Sequence, residues 1–103
     1  MAVIDQYRGI LTVLIEIEVV ESTIEETLQN LKDFTLSFVK LQPGFISANL
    51  HRSEDDTKII NYAQWKNKED FERFLSLEET QQKMKELKII KTNITLMKVA
   101  LAT

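Results

Sequence analysis

The chain has 103 residues, 13 basic and 16 acidic, for a formal charge of −3. That length means one domain, 1–103, with a modest core, and the charge balance argues against a nucleic-acid backbone as partner. The absence of cysteine excludes disulfides and thiolate metal sites, and a single histidine excludes a polyhistidine site.

The opening MAVIDQYRGILTVLIEIEVV is a poor secretory signal. Asp5 stands where basic residues are wanted, and Glu16 and Glu18 break the apolar run. No stretch approaches the roughly 20 apolar residues of a membrane span. The reading is of a soluble, cytoplasmic protein without a membrane or nucleic-acid partner.

Residues 10–20, ILTVLIEIEVV, are dense in β-branched side chains and predict a first strand. Leu11, Val13, Ile15, Ile17 and Val19 share one face, while Thr12, Leu14, Glu16 and Glu18 share the other. Ser22 with Glu25 has the form of a capping box. Ile24, Leu28, Leu31, Phe34 or Thr35, and Phe38 then recur at helical spacing and predict a helix over 23–40. Pro43-Gly44 ends it.

Phe45 to Arg52 predicts a second strand, with Phe45, Ser47, Asn49 and His51 on one face. Ser53-Glu54-Asp55-Asp56 is a polar turn, and Lys58 to Trp65 a third strand paired antiparallel to the second. Along it Asn61, Ala63 and Trp65 point one way, and Ile60, Tyr62 and Gln64 the other. Neither face looks solvated. Asn67 with Asp70 predicts the start of a second helix, with Phe71, Phe74 and Leu75 on its apolar face. Ser76 with Glu79 marks a break near 76 and a resumption to about 87, carrying Met84 and Leu87. Ile89 to Ala100 is the fourth strand.

The order β-α-β-β-α-β predicts the ferredoxin-like unit, an α+β fold with an antiparallel sheet and both helices on one face. Apolar residues on both faces of several strands predict a homodimer joined sheet to sheet.

The segment Gln42 to Leu75, QPGFISANLHRSEDDTKIINYAQWKNKEDFERFL, resembles the antibiotic biosynthesis monooxygenase family. PGF entering strand two, then LHRS, NYAQW and an F-x-x-F helix face carry the resemblance. It implies a dimeric α+β barrel. It also implies oxidation of an electron-rich aromatic phenol or quinol by molecular oxygen without flavin, haem or metal, hence no cofactor. Asn61 and Trp65 match an asparagine and a tryptophan implicated in substrate handling in such enzymes. A tyrosine they use on the second helix falls at Phe71, which lacks the hydroxyl. Haem-degrading relatives carry an asparagine on strand one and a haem-ligating histidine on the second helix. Strand one here has no asparagine, and Leu75 stands at the histidine position, so haem degradation is disfavoured.

The residues themselves point the same way. Oxygen reacts with a phenol once deprotonation lets the ring donate an electron, and this needs a dry pocket with donors aimed at the developing oxyanion. Asn61 can donate an amide N–H, and Trp65 an indole N–H and a flat face. Phe34, Phe38, Phe71 and Phe74 could complete a substrate pocket, and His51 is the one imidazole available as a base. Asn61 and Trp65, four apart on a strand, are about 13 Å apart and could bracket a flat substrate. Each also has a plain structural reading: Trp65 and the phenylalanines as core, Asn61 as a backbone-bonded amide, His51 as an interface residue. The alternative function is a non-enzymatic binding or structural dimer of the same fold.

Overall fold

The computed structural model describes residues 9–103, so Asp5 lies outside the described residues. Four strands form one antiparallel sheet: β1 (Leu11–Val19), β2 (Phe45–Arg52), β3 (Lys58–Trp65) and β4 (Ile89–Met97). Their order across the sheet is β2-β3-β1-β4. The helices are α1 (Ile24–Ser37), α2 (Lys68–Ser76) and α3 (Glu78–Glu86). They lie on the sheet face formed by Val13, Ile15, Ile17, Ile59, Ala63 and Trp65. Among the described residues no helix is long and apolar enough to cross a membrane.

The expected closure into an α+β barrel is corrected by this topology. β2 and β4 stand at opposite edges of an open sheet. The chain's own sheet of four strands stays open and closes on no interior. The strand alternation that suggested two covered faces is real only in part. The outward face of β4 is wet, with Lys91, Asn93 and Thr95 exposed.

β2 and β3 have the expected bounds, while β1 is a residue shorter at each end and β4 stops at Met97. Helix α1 stops at Ser37, short of the expected residue 40. Phe38 leaves helical geometry at φ −132°, and a 3₁₀ turn at Val39–Leu41 follows. Of the three expected caps only one forms. Asn67 Oδ1 accepts from the Asp70 backbone N–H at 2.8 Å, satisfying an orphan donor of α2. The Ser22 cap is displaced by a 3₁₀ turn over Glu21–Thr23. Ser76 donates to the Arg73 carbonyl at 2.7 Å instead of capping α3, which starts after an extended Leu77.

One misread alternation matters for the site. A bulge between Phe45 and Ser47 pairs Phe45 with Trp65 but Ser47 with Gln64. The extra residue, Ile46, reverses the faces. Phe45, Ala48 and Leu50 therefore join the helix side, and Ser47, Asn49 and His51 join the outer face.

Gly44 fixes the approach to β2. Its φ of +84° suits glycine, and a side chain there would collide with Asp70. Its carbonyl accepts from the Lys66 N–H at 2.7 Å, tying the turn to the end of β3. The start of α2 is thereby held over Trp65.

Candidate functional site

The sheet–helix interface contains two buried clusters. One is aliphatic: Ile17, Val19, Ile24, Leu31, Ile59 and Leu87. The other is mainly aromatic: Val13, Ala63, Trp65, Phe71 and Phe74, with Phe34, Phe38 and Phe45 packed against it. A cavity of about 160 Å³ lies where they meet. Its floor is sheet, from Ile15, Ala48, Leu50, Asn61, Ala63 and Trp65. Its roof is Leu31, Phe34 and Thr35 of α1, Phe71, Phe74 and Leu75 of α2, and Thr80 and Met84 of α3. Thr92 and Ile94 of β4 complete one side, and Ile94 is 44% exposed, which places the mouth at this edge.

Asn61 reaches the cavity because strand alternation turns it to the helix side with Ile15 as its neighbour on β1. Its Oδ1 accepts the Asn49 backbone N–H at 3.2 Å. That bond orients the amide. Among the described residues nothing accepts from Nδ2, and Asn61 lines the cavity.

Trp65 is 1% exposed. Phe74 stacks on it at 5.1 Å between ring centroids, Phe71 tilts against it at 5.7 Å, and Phe45 meets it edge-on at 5.6 Å. With one face covered by Phe74, the indole is a wall of the cavity more than a free stacking platform. These aromatic pairs add about 0.5–1.5 kcal/mol each beyond area burial, which makes the wall rigid.

Phe34, Phe71 and Phe74 line the cavity as expected residues of the pocket. Phe38 does not; it stacks behind Phe34 at 5.1 Å. His51 is not brought to the site. It sits exposed on the opposite sheet face, its Nδ1 3.0 Å from the Asn49 carbonyl oxygen. The bulge at Ile46 is the physical reason that its neighbour Phe45 and it lie on different faces. Tyr62 also faces outward.

No titratable side chain lines the cavity among the described residues. The groups with displaced pKa values are at the distant β2–β3 turn. Asp56 is lowered chiefly by its hydrogen bond from Arg52, which also pairs with Glu25. Asp55 is lowered by hydroxyl donors from Thr57 and Ser53, and the Arg52 guanidinium is raised by its two carboxylates. Arg52 and Asp55 are exposed and Asp56 is half-buried, and all three organise the turn, not the cavity. Among the described residues no three His, Asp or Glu side chains converge as a metal site.

The sequence reading missed Phe45, Thr80, Thr92 and Ile94. Thr80 was detectable by spacing, since it stands four residues before Met84 and seven before Leu87 on one helical stripe. Phe45 was hidden by the bulge.

Comparison with known proteins comes down on one family. The sequence pattern described as "Antibiotic biosynthesis monooxygenase" matches residues 10–86. Tetracenomycin-F1 monooxygenase of Streptomyces glaucescens is 32% identical over 71 residues. That match spans 69% of this chain and 63% of the relative, so part of the relative's length has no counterpart in it. SnoaB of Streptomyces nogalater, described as a cofactor-independent oxygenase, superposes with TM-score 0.72 at 19% identity, over 91% of this chain and 96% of that one. An antibiotic biosynthesis monooxygenase-like protein of Nitrosomonas europaea superposes at 0.78 and 11% identity, over 92% and 94%. The last two show the fold.

Proposed function

The chain belongs to the antibiotic biosynthesis monooxygenase family, and from that membership and the cavity we propose that it is a cofactor-independent monooxygenase oxidising an aromatic phenol or quinol with molecular oxygen. The observation that carries the proposal is the cavity itself: aromatic and aliphatic walls, with the Nδ2 of Asn61, without an acceptor among the described residues, on the floor. The names borne by the S. glaucescens relative and by SnoaB support the same reaction class.

The chemistry needs no external reductant. A hydroquinone ring plus O₂ gives a hydroxyquinone plus water. One oxygen atom enters the ring, the other leaves as water, and the substrate supplies all four electrons. The phenolate first passes one electron to oxygen; the radical pair then forms a C–O bond. Loss of the proton at that carbon and cleavage of O–O release hydroxide. The protein's share is to hold the ring in a dry site and to stabilise the ring oxygen's charge through Asn61.

The volume limits the substrate. A cavity of about 160 Å³ resembles the roughly 150 Å³ apolar cavities that admit benzene. A single ring fits as the walls stand, and a fused polycycle requires Phe71, Phe74 or Met84 to move. Because no titratable side chain lines the cavity, the substrate must ionise by its own acidity or through water. Turnover then rises with pH through the substrate's phenolic pKa, and the inflection shifts when a more acidic quinol is used.

The test is oxygen uptake by chelator-treated protein with a series of single- and two-ring quinols, without flavin. Uptake matched by hydroxyquinone formation is expected. Activity appearing only after flavin or metal is added would falsify the proposal. The missing base also favours a second reading, a non-enzymatic binding protein, which binding of the quinols without any uptake would establish.

We read the chain further as a homodimer through the outward sheet face, where Leu14, Ile60 and Tyr62 are half-buried apolar side chains. Sedimentation at twice the 12.0 kDa chain mass is expected; a monomer at micromolar concentration would sink it.

A further inference from the structure

Thr80 is 2% exposed, it lines the cavity, and among the described residues its Oγ1 has no hydrogen-bond partner. Buried hydroxyls are rarely left so. A contrast within the same cavity explains how it arises. Thr35, in the middle of α1, donates to the Leu31 carbonyl four residues back at 2.7 Å. For Thr80 the residue four back is Ser76, the last of α2, on the far side of the extended Leu77 (ψ 140°). The helix break removes the carbonyl that would have satisfied the hydroxyl. The Leu77 carbonyl, three back, accepts from the Gln81 N–H at 3.0 Å.

Resting on the reading of this cavity as the substrate site, we propose that Thr80 is a second polar anchor: its hydroxyl bonds one oxygen of the substrate while Asn61 bonds another, so the site selects aromatic rings bearing two oxygens over rings bearing one. The two anchors come from opposite walls, Asn61 from the sheet and Thr80 from α3. A hydroxyl can donate or accept, so it suits either a phenolic O–H or a quinone oxygen. A trapped water is a poorer occupant. It needs two to four polar partners, and even one held between Thr80 and another polar group of the lining leaves the apolar volume of the cavity unfilled. A ring with a second oxygen fills the apolar volume and satisfies Thr80 together.

The experiment measures anaerobic binding of phenol, catechol, resorcinol and hydroquinone to the wild type, Thr80→Val and Thr80→Ser. The indole N–H resonance of Trp65, the one tryptophan in the chain, reports occupancy of the cavity. In the wild type at least one dihydroxybenzene should bind roughly three- to tenfold tighter than phenol, the range for one neutral hydrogen bond. Thr80→Val should erase that preference, leave phenol affinity unchanged and not lower Tm, because an unpaired buried hydroxyl is exchanged for a methyl of similar shape. Thr80→Ser should keep most of the preference. Retention of the preference in Thr80→Val, or equal weakening of phenol and the dihydroxybenzenes, overturns the proposal while leaving the cavity as a binding site. Failure of the wild type to bind all four removes the cavity reading and this inference together. Absence of oxygen uptake with the binding pattern intact removes only the oxygenase reading.

Discussion

The two ends of the sheet–helix interface are built differently. The aliphatic end packs Ile17, Val19, Ile24 and Ile59 to 3% exposure or less. The aromatic end buries Trp65 and Phe71 as deeply, yet supplies most of the cavity's ring-bearing wall, with Ile17 and Leu31 the aliphatic cluster's share of the lining. Branched aliphatic side chains interdigitate to high density. Large rigid rings, held edge-on and tilted against one another, leave gaps that they cannot collapse to fill. One end of this interface therefore serves stability, and the other holds open a space with Asn61 and Thr80 on its walls.

Two substitutions sharpen that division. Ile59→Ala, at a residue with no exposure, should lower unfolding free energy by about 2–5 kcal/mol. Urea denaturation measures it, and the affinity of the folded variant for hydroquinone should not change. A loss of affinity with little loss of stability would mean that Ile59 belongs to the site although it does not line the cavity. Phe71→Leu should cost less, about 1–2 kcal/mol, since the site already borders empty space and the swap is partly volume-conserving. It should also tighten binding of a two-ring quinol relative to a single-ring one. If the ring-size preference does not move, Phe71 does not set the cavity's width.

Much of this was legible in the sequence. Alternation along Lys58–Trp65 put Asn61, Ala63 and Trp65 on one face, and β1 pairs with them as its own alternation requires. Spacing on α1 and α2 identified Phe34, Phe71 and Phe74 as inward. The bulge at Ile46 was not legible, because neither glycine nor proline marks it and strand alternation assumes no inserted residue. That one residue puts Phe45, in the cavity wall, and His51, on the outer face, on opposite sides of the sheet. The break at Leu77 was visible as a region, but its consequence was not. Which carbonyl a threonine can reach depends on where the helix restarts. The barrel expectation came from the family resemblance, and the apolar outward residues of β1 and β3 do not continue along β4, where Lys91, Asn93 and Thr95 face outward.

The central claim is that the aromatic-end cavity stabilises a substrate oxyanion through Asn61, and its most direct test is the effect of Asn61→Ala on oxygen uptake and on anaerobic binding of the same quinol. If oxyanion-hole donors are a fair guide, the barrier should rise on the order of 3 kcal/mol, a loss of about a hundredfold in kcat. Binding should change far less, because the bond strengthens only as charge develops on the oxygen. Turnover unchanged by Asn61→Ala, or binding lost in the same proportion as kcat, would contradict the account.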